Sequence, residues 1–423
     1  MHISIFVYGT WGDIRPHVVL GMALQKAGHE VQVVASQGYE KWVRARNLGF
    51  YPLTTDVSIF AKENASIMDA GIIEQLQTAR KVLNPILAQM GLEVLKATRE
   101  SDVLMTVEFG VSLLFDVLRV NNLKTILINP APLNPTSEVS FATMPSAPNW
   151  FPFSQGYNRF TYSIVQRLQW SVLGGARNEL ATKHLGLPKS KLRDFQTMLA
   201  ATPALTTVSK HVFNRPTDWP EHFQVTGYLF DDEPEWTPPQ ELTDFLEAGE
   251  APIYIGFGSM PDSKPEATTR TLIDAVQQAS KRAVILKGWA GLGADNVPEN
   301  IHILNYAPHS WLFPRMSAVI HHGGAGTTAS GFRAGVPTVI IPHNADQPYW
   351  GRRVTELGVG AQMIPRKKLT VETLHHAIKT VTEDSRLREN AQILGRKIQQ
   401  EDGLTEAVKW VEHYLKPVMN PKQ

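Results

Sequence analysis

Two separate stretches of this chain carry the same pattern: a short, unbroken apolar run, a glycine turn, then apolar residues at helical spacing. The first runs through residues 3–8 into Gly9-Thr10-Trp11-Gly12. Leu20, Ala23, Leu24 and Ala27 then recur on one helix face, Gly28 can terminate it, and residues 31–35 are the next apolar run. Pro16 falls where a first helical turn tolerates proline. The second stretch begins Ile253-Tyr254-Ile255 and enters Gly256-Phe257-Gly258-Ser259-Met260, with a helical pattern near residues 266–280. Strands without polar alternation need cover on both faces, and strand–helix–strand order supplies it. The pattern therefore dictates parallel sheets flanked by helices.

Further short strands are expected at 103–107 and 125–129 in the first series. In the second they are expected at 283–286, 301–304, 318–320, 337–341 and 360–364. Val371, Leu374, Ile378 and Val381 give one late helix a buried face, and Ala407, Val408, Val411 and Leu415 give another. With 423 residues and roughly 150 per domain, two or three domains fit. Residues 231–252 open with an acidic, proline-rich run and read as a linker. The expected organisation is a first domain over 1–230, that linker, a second domain over 253–400, and a terminal segment over 401–423. Two doubly wound α/β domains place the ligand site in the cleft between them, at the carboxyl ends of the strands.

Composition removes several function classes. Lys plus Arg is 41 against 40 Asp plus Glu, so no global charge favours nucleic acid. The absence of cysteine excludes disulfides, thiolate metal sites and cysteine nucleophiles. No two of the 14 histidines show the spacing of a zinc hydrolase. No apolar run reaches the roughly 18 residues of a membrane span, and the first residues lack a basic leader. The expectation is a soluble cytoplasmic protein that touches membranes from one side.

The stretch Val319-Ile320-His321-His322-Gly323-Gly324-Ala325-Gly326-Thr327-Thr328 is the most informative. A strand enters three glycines and a helix whose first amides are free to meet a diphosphate, with His322 and Thr327 as side-chain donors. It can equally be a tight turn over buried histidines. Past the next strand, Asp346 and Gln347 suit bidentate contact with vicinal hydroxyls, or a helix cap before Pro348. Asp13, after the first strand, has the position of a base but also that of a helix cap, and sequence alone favours the cap. Residues 141–170 hold eight aromatics (Phe141, Trp150, Phe151, Phe153, Tyr157, Phe160, Tyr162 and Trp170), where the chain average gives about three. Pro145, Pro148 and Pro152 make the first part irregular.

These residues resemble a known family. Arg215-Pro216-Thr217-Asp218-Trp219-Pro220-Glu221-His222, Val225-Thr226-Gly227-Tyr228, residues 253–260 and Lys287-Gly288-Trp289 are similar to the sterol 3-beta-glucosyltransferases among the inverting family 1 glycosyltransferases. So are residues 308–315, 321–347, 350–354 and 356–360, and Gly9-Thr10-Trp11-Gly12-Asp13-Ile14-Arg15-Pro16 is similar to that family's opening loop. The middle, about 50–200, matches poorly. The resemblance implies a GT-B fold: two facing Rossmann-like domains, acceptor in the first and sugar donor in the second, with the last helix crossing back onto the first. It implies that His322, Gly324, Gly326 and Thr327 hold the diphosphate, with Ser259 reaching it from the opposite loop. Asp346 and Gln347 would hold the hexose, while Trp289, Ala307 and His309 would line the nucleobase. Asp13 would be the general base where plant relatives carry histidine. Trp11 replaces the arginine usual in the opening loop, and Ser330 stands where plant relatives place a ribose-binding glutamate. The membrane-targeting domains that precede the catalytic part of fungal sterol enzymes are not expected here, which leaves the acceptor open.

The chemistry implied is direct displacement at the anomeric carbon of a UDP-sugar by a hydroxyl of a sterol, triterpenoid or polyphenol, with no metal and no other cofactor. The acceptor cleft would draw on Trp11, Glu108, Trp150, Phe151, Phe153 and Tyr157. Glu108 lies where plant relatives carry the acid that orients their histidine. The competing readings are a nucleotide-sugar epimerase of the same fold and a non-catalytic protein that binds lipid or nucleotide sugar. The aromatic cluster argues against the first, and the joint presence of Asp13, His322, Asp346 and Gln347 against the second.

Overall fold

The computed structural model describes residues 1–55, 72–121, 123–148, 150–232, 236–294 and 296–416. Two parallel sheets organise them. The first contains β1 (His2–Phe6), β2 (Glu30–Ser36), β3 (Gly49–Leu53), β4 (Val103–Thr106), β5 (Lys124–Asn129), β6 (Ala204–Thr206) and β7 (Phe223–Val225), in the order β3-β2-β1-β4-β5-β6-β7. The second contains β8 (Ile253–Gly256), β9 (Ala283–Leu286), β10 (Ile301–Leu304), β11 (Ala318–His321) and β12 (Thr338–Ile340), in the order β10-β9-β8-β11-β12. Each sheet starts in its middle and reverses direction once, between β1 and β4 and between β8 and β11. Those two switch points open crevices at the strand carboxyl ends.

Both faces of the first sheet are dry. Ile3 and Ile5 of β1 face Ile14, Val18 and Leu24 of the helix Trp11–Lys26, whereas Phe6 joins the opposite core with Leu87, Met90 and Leu114. The last helix, Gly403–Leu415, follows a helix of the second half (Ser385–Gln399) yet buries Ala407, Val411 and Leu415 in the core of the first sheet. The helix Gln240–Glu247 lies within the acidic stretch and buries Leu242 against Tyr254 and Val284 of the second half.

Three local expectations change. Pro16 is the sixth residue of its helix, past the first turn, so its missing N–H withdraws a bond from the interior. Residues 360–364 do not form a strand. Ala361 donates to Thr338 and Ile364 to Ile340 (3.2 and 2.9 Å), so three residues span what two span on β12, and the ladder stops at one bridge. The aromatic segment becomes irregular chain up to Phe153 and then a 31-residue helix, Ser154–His184, packed on the helix Ile72–Ala97.

Candidate functional site

Asp13 is the third residue of its helix, and Thr10 is the N-cap. The Thr10 amide donates to Asp13 Oδ2 at 2.7 Å and the Thr10 hydroxyl at 3.1 Å. The carboxylate thus works as the distal half of a capping box, a T-x-x-D spacing legible in the sequence. Burial nevertheless raises its pKa above the ordinary carboxylate value, outweighing the Thr10 bonds that lower it. Gly9 makes the fit possible: a Cβ there would lie 2.3 Å from Asp13 Oδ2. Behind it, the His17 ring donates from Nδ1 to the Asp13 carbonyl at 2.7 Å, and burial holds that histidine near about 4, hence neutral.

Glu108 opens the helix Glu108–Asn121 at the end of β4, the strand beside β1. It is buried, and burial pushes its carboxyl up to about 7 against the lowering bond from Gln169 Nε2 at 3.2 Å. Its amide donates to Asn129 Oδ1 at 3.0 Å. Adjacent strand ends therefore present two carboxyl groups of raised pKa.

In the second half, β11 delivers His321 and His322 to the start of the helix Ala325–Ala334, with Gly324 as N-cap. The glycines divide the work. A Cβ on Gly324 would sit 2.5 Å from His322 Nε2, and one on Gly258, in the loop after β8, would sit 2.9 Å from His322 Cε1. The imidazole therefore fills the gap between the two loops. Gly326, by contrast, faces open space, the side from which an anion can reach the first-turn amides and Thr327. Burial lowers His322 to about 3, so it offers a neutral ring, and its Nδ1 has no hydrogen-bond partner. His321 Nδ1 accepts from the Gly323 amide at 2.9 Å, which makes it part of the turn. Ser259, half-buried, follows Gly258 directly. Ser330 donates to the Gly326 carbonyl at 2.9 Å.

Asp346 occupies the N-cap position of the helix Gln347–Glu356, but its side chain caps no amide. Instead Oδ2 accepts from Trp350 Nε1 at 2.7 Å, one turn along. Burial is the largest cause of a pKa of about 6, the Trp350 bond lowers it, and the negative charge of Asp13 adds to the rise. Gln347 is buried and committed to its own loop. Its Oε1 accepts from the amides of His343 (2.7 Å) and Asn344 (3.1 Å), and its Nε2 lies 3.3 Å from Met260 Sδ and from Asn344 Oδ1.

Trp289 is half-buried, and its amide donates to the Gly258 carbonyl at 2.9 Å, so the β9 and β8 loops are joined. Ala307 is buried. His309 stacks on Phe313 (centroids 4.3 Å apart, planes at 15°), and burial, helped by the charge of Arg15, lowers it to about 4. Arg15 comes from the other half: its Nη2 donates to Tyr306 Oη at 3.4 Å. Arg352 likewise reaches across, donating to the Met144 carbonyl at 3.0 Å, and Arg353 donates to the Val212 carbonyl at 2.6 Å. These bonds tie the two halves together, and the charges of Arg15 and Asp13 reach His309 and Asp346 of the second half. Gly9, Thr10, Arg15 and Trp350 fall within the matching motifs without a role of their own, and Tyr306 was not named. A role for Trp350 could have been read, because it stands four residues beyond Asp346 on a helix.

The aromatic candidates divide. Trp11 sits edge-on to Tyr39 (4.8 Å) and Trp42 (5.2 Å). Phe151 and Tyr157 are half-buried, with Tyr157 Oη donating to the Pro145 carbonyl at 3.0 Å. Trp150 and Phe153 stand 80% and 72% exposed, while Phe141 and Tyr162 are core. A cavity of about 430 Å³ lies elsewhere, at the Lys26 end of the first helix, lined also by Phe230, Asp232 and Val408. Among the described residues, no helix is long and apolar enough to cross a membrane, and no three His, Asp or Glu converge as metal ligands.

Residues 3–104 match the glycosyltransferase family 28 N-terminal domain, and residues 270–413 match the erythromycin biosynthesis protein CIII-like C-terminal domain. Two sterol 3-beta-glucosyltransferases of Arabidopsis thaliana are similar. One is 35% identical over 97% of this chain and 65% of its own; the other is 31% identical over 99% and 68%. A sterol 3-beta-glucosyltransferase of Emericella nidulans is 32% identical over 96% of this chain and 29% of its own. The chain thus spans about two thirds of the plant relatives and under a third of the fungal one. Among solved structures, the kitacinnamycin glycotransferase superposes with a TM-score of 0.71 at 18% identity, covering 97% of this chain and 98% of that one. The glycosyltransferase VinC in complex with dTDP gives 0.65 at 18%, covering 98% and 99%. At that identity the likeness shows the fold, which is GT-B.

Proposed function

The chain belongs to the sterol 3-beta-glucosyltransferase family, and on that premise we propose that it moves glucose from UDP-glucose to a hydroxyl of a lipophilic acceptor, with inversion. A sterol, triterpenoid or polyphenol fits the acceptor class. The observation that carries this reading is that the charge of Asp13, in the first turn of the helix after β1, reaches Asp346, beside the turn at 323–327 of the other half. A base whose charge reaches a sugar-holding carboxylate of the other half can flank one anomeric carbon with it.

The acceptor oxygen attacks C1 and forms the new C–O bond while the bond from C1 to the diphosphate oxygen breaks. The bonding pair leaves with UDP, and the acceptor proton passes to Asp13. A carboxylate is a weak base toward an alcohol, so transfer is late and concerted with attack. The raised pKa of Asp13 makes it a better acceptor of that proton, and the Thr10 bonds fix its direction. Most of the rate comes from stabilising the leaving diphosphate with the helix amides at Ala325, Gly326 and Thr327, the Thr327 hydroxyl and His322. An arriving diphosphate opposes the burial that lowers His322 and so strengthens its donation to the leaving oxygens.

Asp346 is read as the acceptor of hexose hydroxyl hydrogens, its carboxylate oriented by the Trp350 bond to Oδ2. Gln347 contributes through the loop that it closes and through Nε2. Trp289, Ala307 and His309 line the base. Glu108 and Gln169 sit beneath the acceptor side, with Phe151 and Tyr157 as apolar wall and Trp11, Trp150 and Phe153 at its approaches. The partners on this reading are a UDP-sugar, a lipophilic hydroxylated acceptor and, for an acceptor dissolved in lipid, a membrane surface. The decisive variant is Asp13→Asn, which keeps a hydrogen-bond acceptor for Thr10 but cannot take the proton. Loss of transfer with UDP affinity retained supports the reading, and near-normal turnover removes Asp13 as the base.

A further inference from the structure

The largest apolar side chains left exposed among the described residues concentrate in one place. Trp150 (80% exposed), Phe153 (72%), Phe160 (58%) and Leu168 (37%) fall within nineteen consecutive residues. From the start of the helix Ser154–His184 they keep register. Phe153, Tyr157, Phe160, Ile164 and Leu168 are spaced by 4, 3, 4 and 4, which lines them along one face. The opposite face, with Tyr162 and Leu173, is buried in the core, so the helix is anchored there, while Phe153, Phe160 and Leu168 stand exposed and Tyr157 and Ile164 half-buried on the other side. The stripe runs for about 22 Å at 1.5 Å per residue, with Phe153, Phe160 and Leu168 as its exposed members.

Charge narrows what can cover it. Residues 139–178 contain no Asp or Glu, in a chain with 40 of them, and do contain Arg159, Arg167 and Arg177. Arg167 is exposed beside the stripe, and Arg159 is 65% exposed although it pairs with Asp218 at 3.1 Å. Arg177 is buried. A stripe of Trp, Phe and Leu flanked by arginine and free of acid is the composition that settles at the headgroup level of an anionic bilayer. The place is apt. The irregular chain that carries Trp150 is tied through the Met144 carbonyl to Arg352, on the helix that begins beside Asp346.

We infer that Trp150, Phe153, Phe160 and Leu168, with Arg167, form a docking face for an anionic phospholipid bilayer, set beside the acceptor side of the cleft. The face takes its purpose from the lipophilic-acceptor reading, since a sterol-like acceptor partitions into lipid and not into water.

The test is flotation of the full chain with unilamellar vesicles of phosphatidylcholine, with and without phosphatidylglycerol. The chain should float with the phosphatidylglycerol vesicles, and brominated lipid should quench the emission that Trp150→Phe removes. Phe160→Ser with Leu168→Ser should weaken flotation about tenfold or more, and Arg167→Glu should weaken it on the anionic vesicles alone. Because these side chains are exposed, melting temperature should stay within a degree or two. No flotation of the unaltered chain, or flotation indifferent to both variants, overturns the proposal. So does a gel-filtration shift from dimer to monomer in the double variant, which would make a second copy the cover. Transfer to an acceptor delivered in cyclodextrin is measured in parallel. Flotation without transfer leaves the docking face standing and sinks the proposed activity, and transfer without flotation does the reverse.

Discussion

Asp13 raises the pKa of Asp346, although the two carboxylates belong to different sheets and different halves of the molecule. Burial is the larger cause, holding Asp346 at about 6 and Asp13 above its ordinary value of 3.8. The folded chain therefore binds protons at these sites that the unfolded chain, with carboxyls near 4, has already lost. For Asp346 the native state carries the extra proton between about pH 4 and 6, so stability falls as pH rises through that window and the penalty is complete above it; the raised Asp13 acts in the same direction. Asp346→Asn should thus melt higher than the parent at pH 8 and not at pH 4. A pH series of thermal melts reads this directly. The same logic gives Glu108→Gln, whose carboxyl sits at about 7, a higher melting point at pH 8 and none at pH 5.

Activity should respond with the opposite sign. Asp13 must be ionised to take the acceptor proton, and burial raises its pKa, so kcat/KM should drop on acidification, with Asp346 adding to the loss as it protonates at about 6. Glu108→Gln should keep transfer within a factor of a few. A loss as large as that of Asp13→Asn would move the base to Glu108.

Gly9→Ala tests the placement of Asp13 without touching it. The added Cβ would meet the carboxylate at 2.3 Å, so Asp13 must leave the Thr10 bonds. Turnover should fall about 10²–10⁴-fold, the usual worth of a positioned acid or base, while calorimetry shows UDP affinity unchanged. Equal losses in both would mean a general disruption.

Sequence carried the architecture and the identity of the site further than its geometry. The apolar runs at 3–8 and 253–255 lay out both sheets, because an unalternating strand has only one kind of environment. β3, β6 and β7 escaped notice: β3 contains Gly49 and Pro52, and the other two are three residues long. Asp13 was read as a cap and is half of one, with burial as the part that spacing cannot express. Gly324 looked like part of an anion cradle, and the structure gives its Cβ space, with that of Gly258, to the His322 ring. The stripe at 153–168 was visible as composition, but only the packing of Tyr162 and Leu173 tells which face is bare.

Trp350→Phe removes the indole donor from Asp346 and leaves an aromatic ring in a buried site. Losing a bond to a charged group costs roughly 1.5–3 kcal/mol. The loss should appear in hexose selection and kcat, with UDP binding alone nearly unchanged. Asp346→Ala should show the same split more strongly. Parallel losses for UDP and UDP-glucose would make both residues structural.

UDP should bind in excess EDTA, since helix amides, Thr327 and His322 are the groups read as meeting the diphosphate. Calorimetry that detects binding only after Mg²⁺ is added would require a metal in that role.

The most direct test of the account is the configuration of the product. The chain is incubated with UDP-glucose, whose glucose is α-linked, and a sterol acceptor, and the glycoside is examined by proton NMR. In-line attack assisted by Asp13 predicts a β-glucoside from the unaltered chain and none from Asp13→Asn. An α-glucoside, or β-glucoside formed equally well by Asp13→Asn, would contradict it.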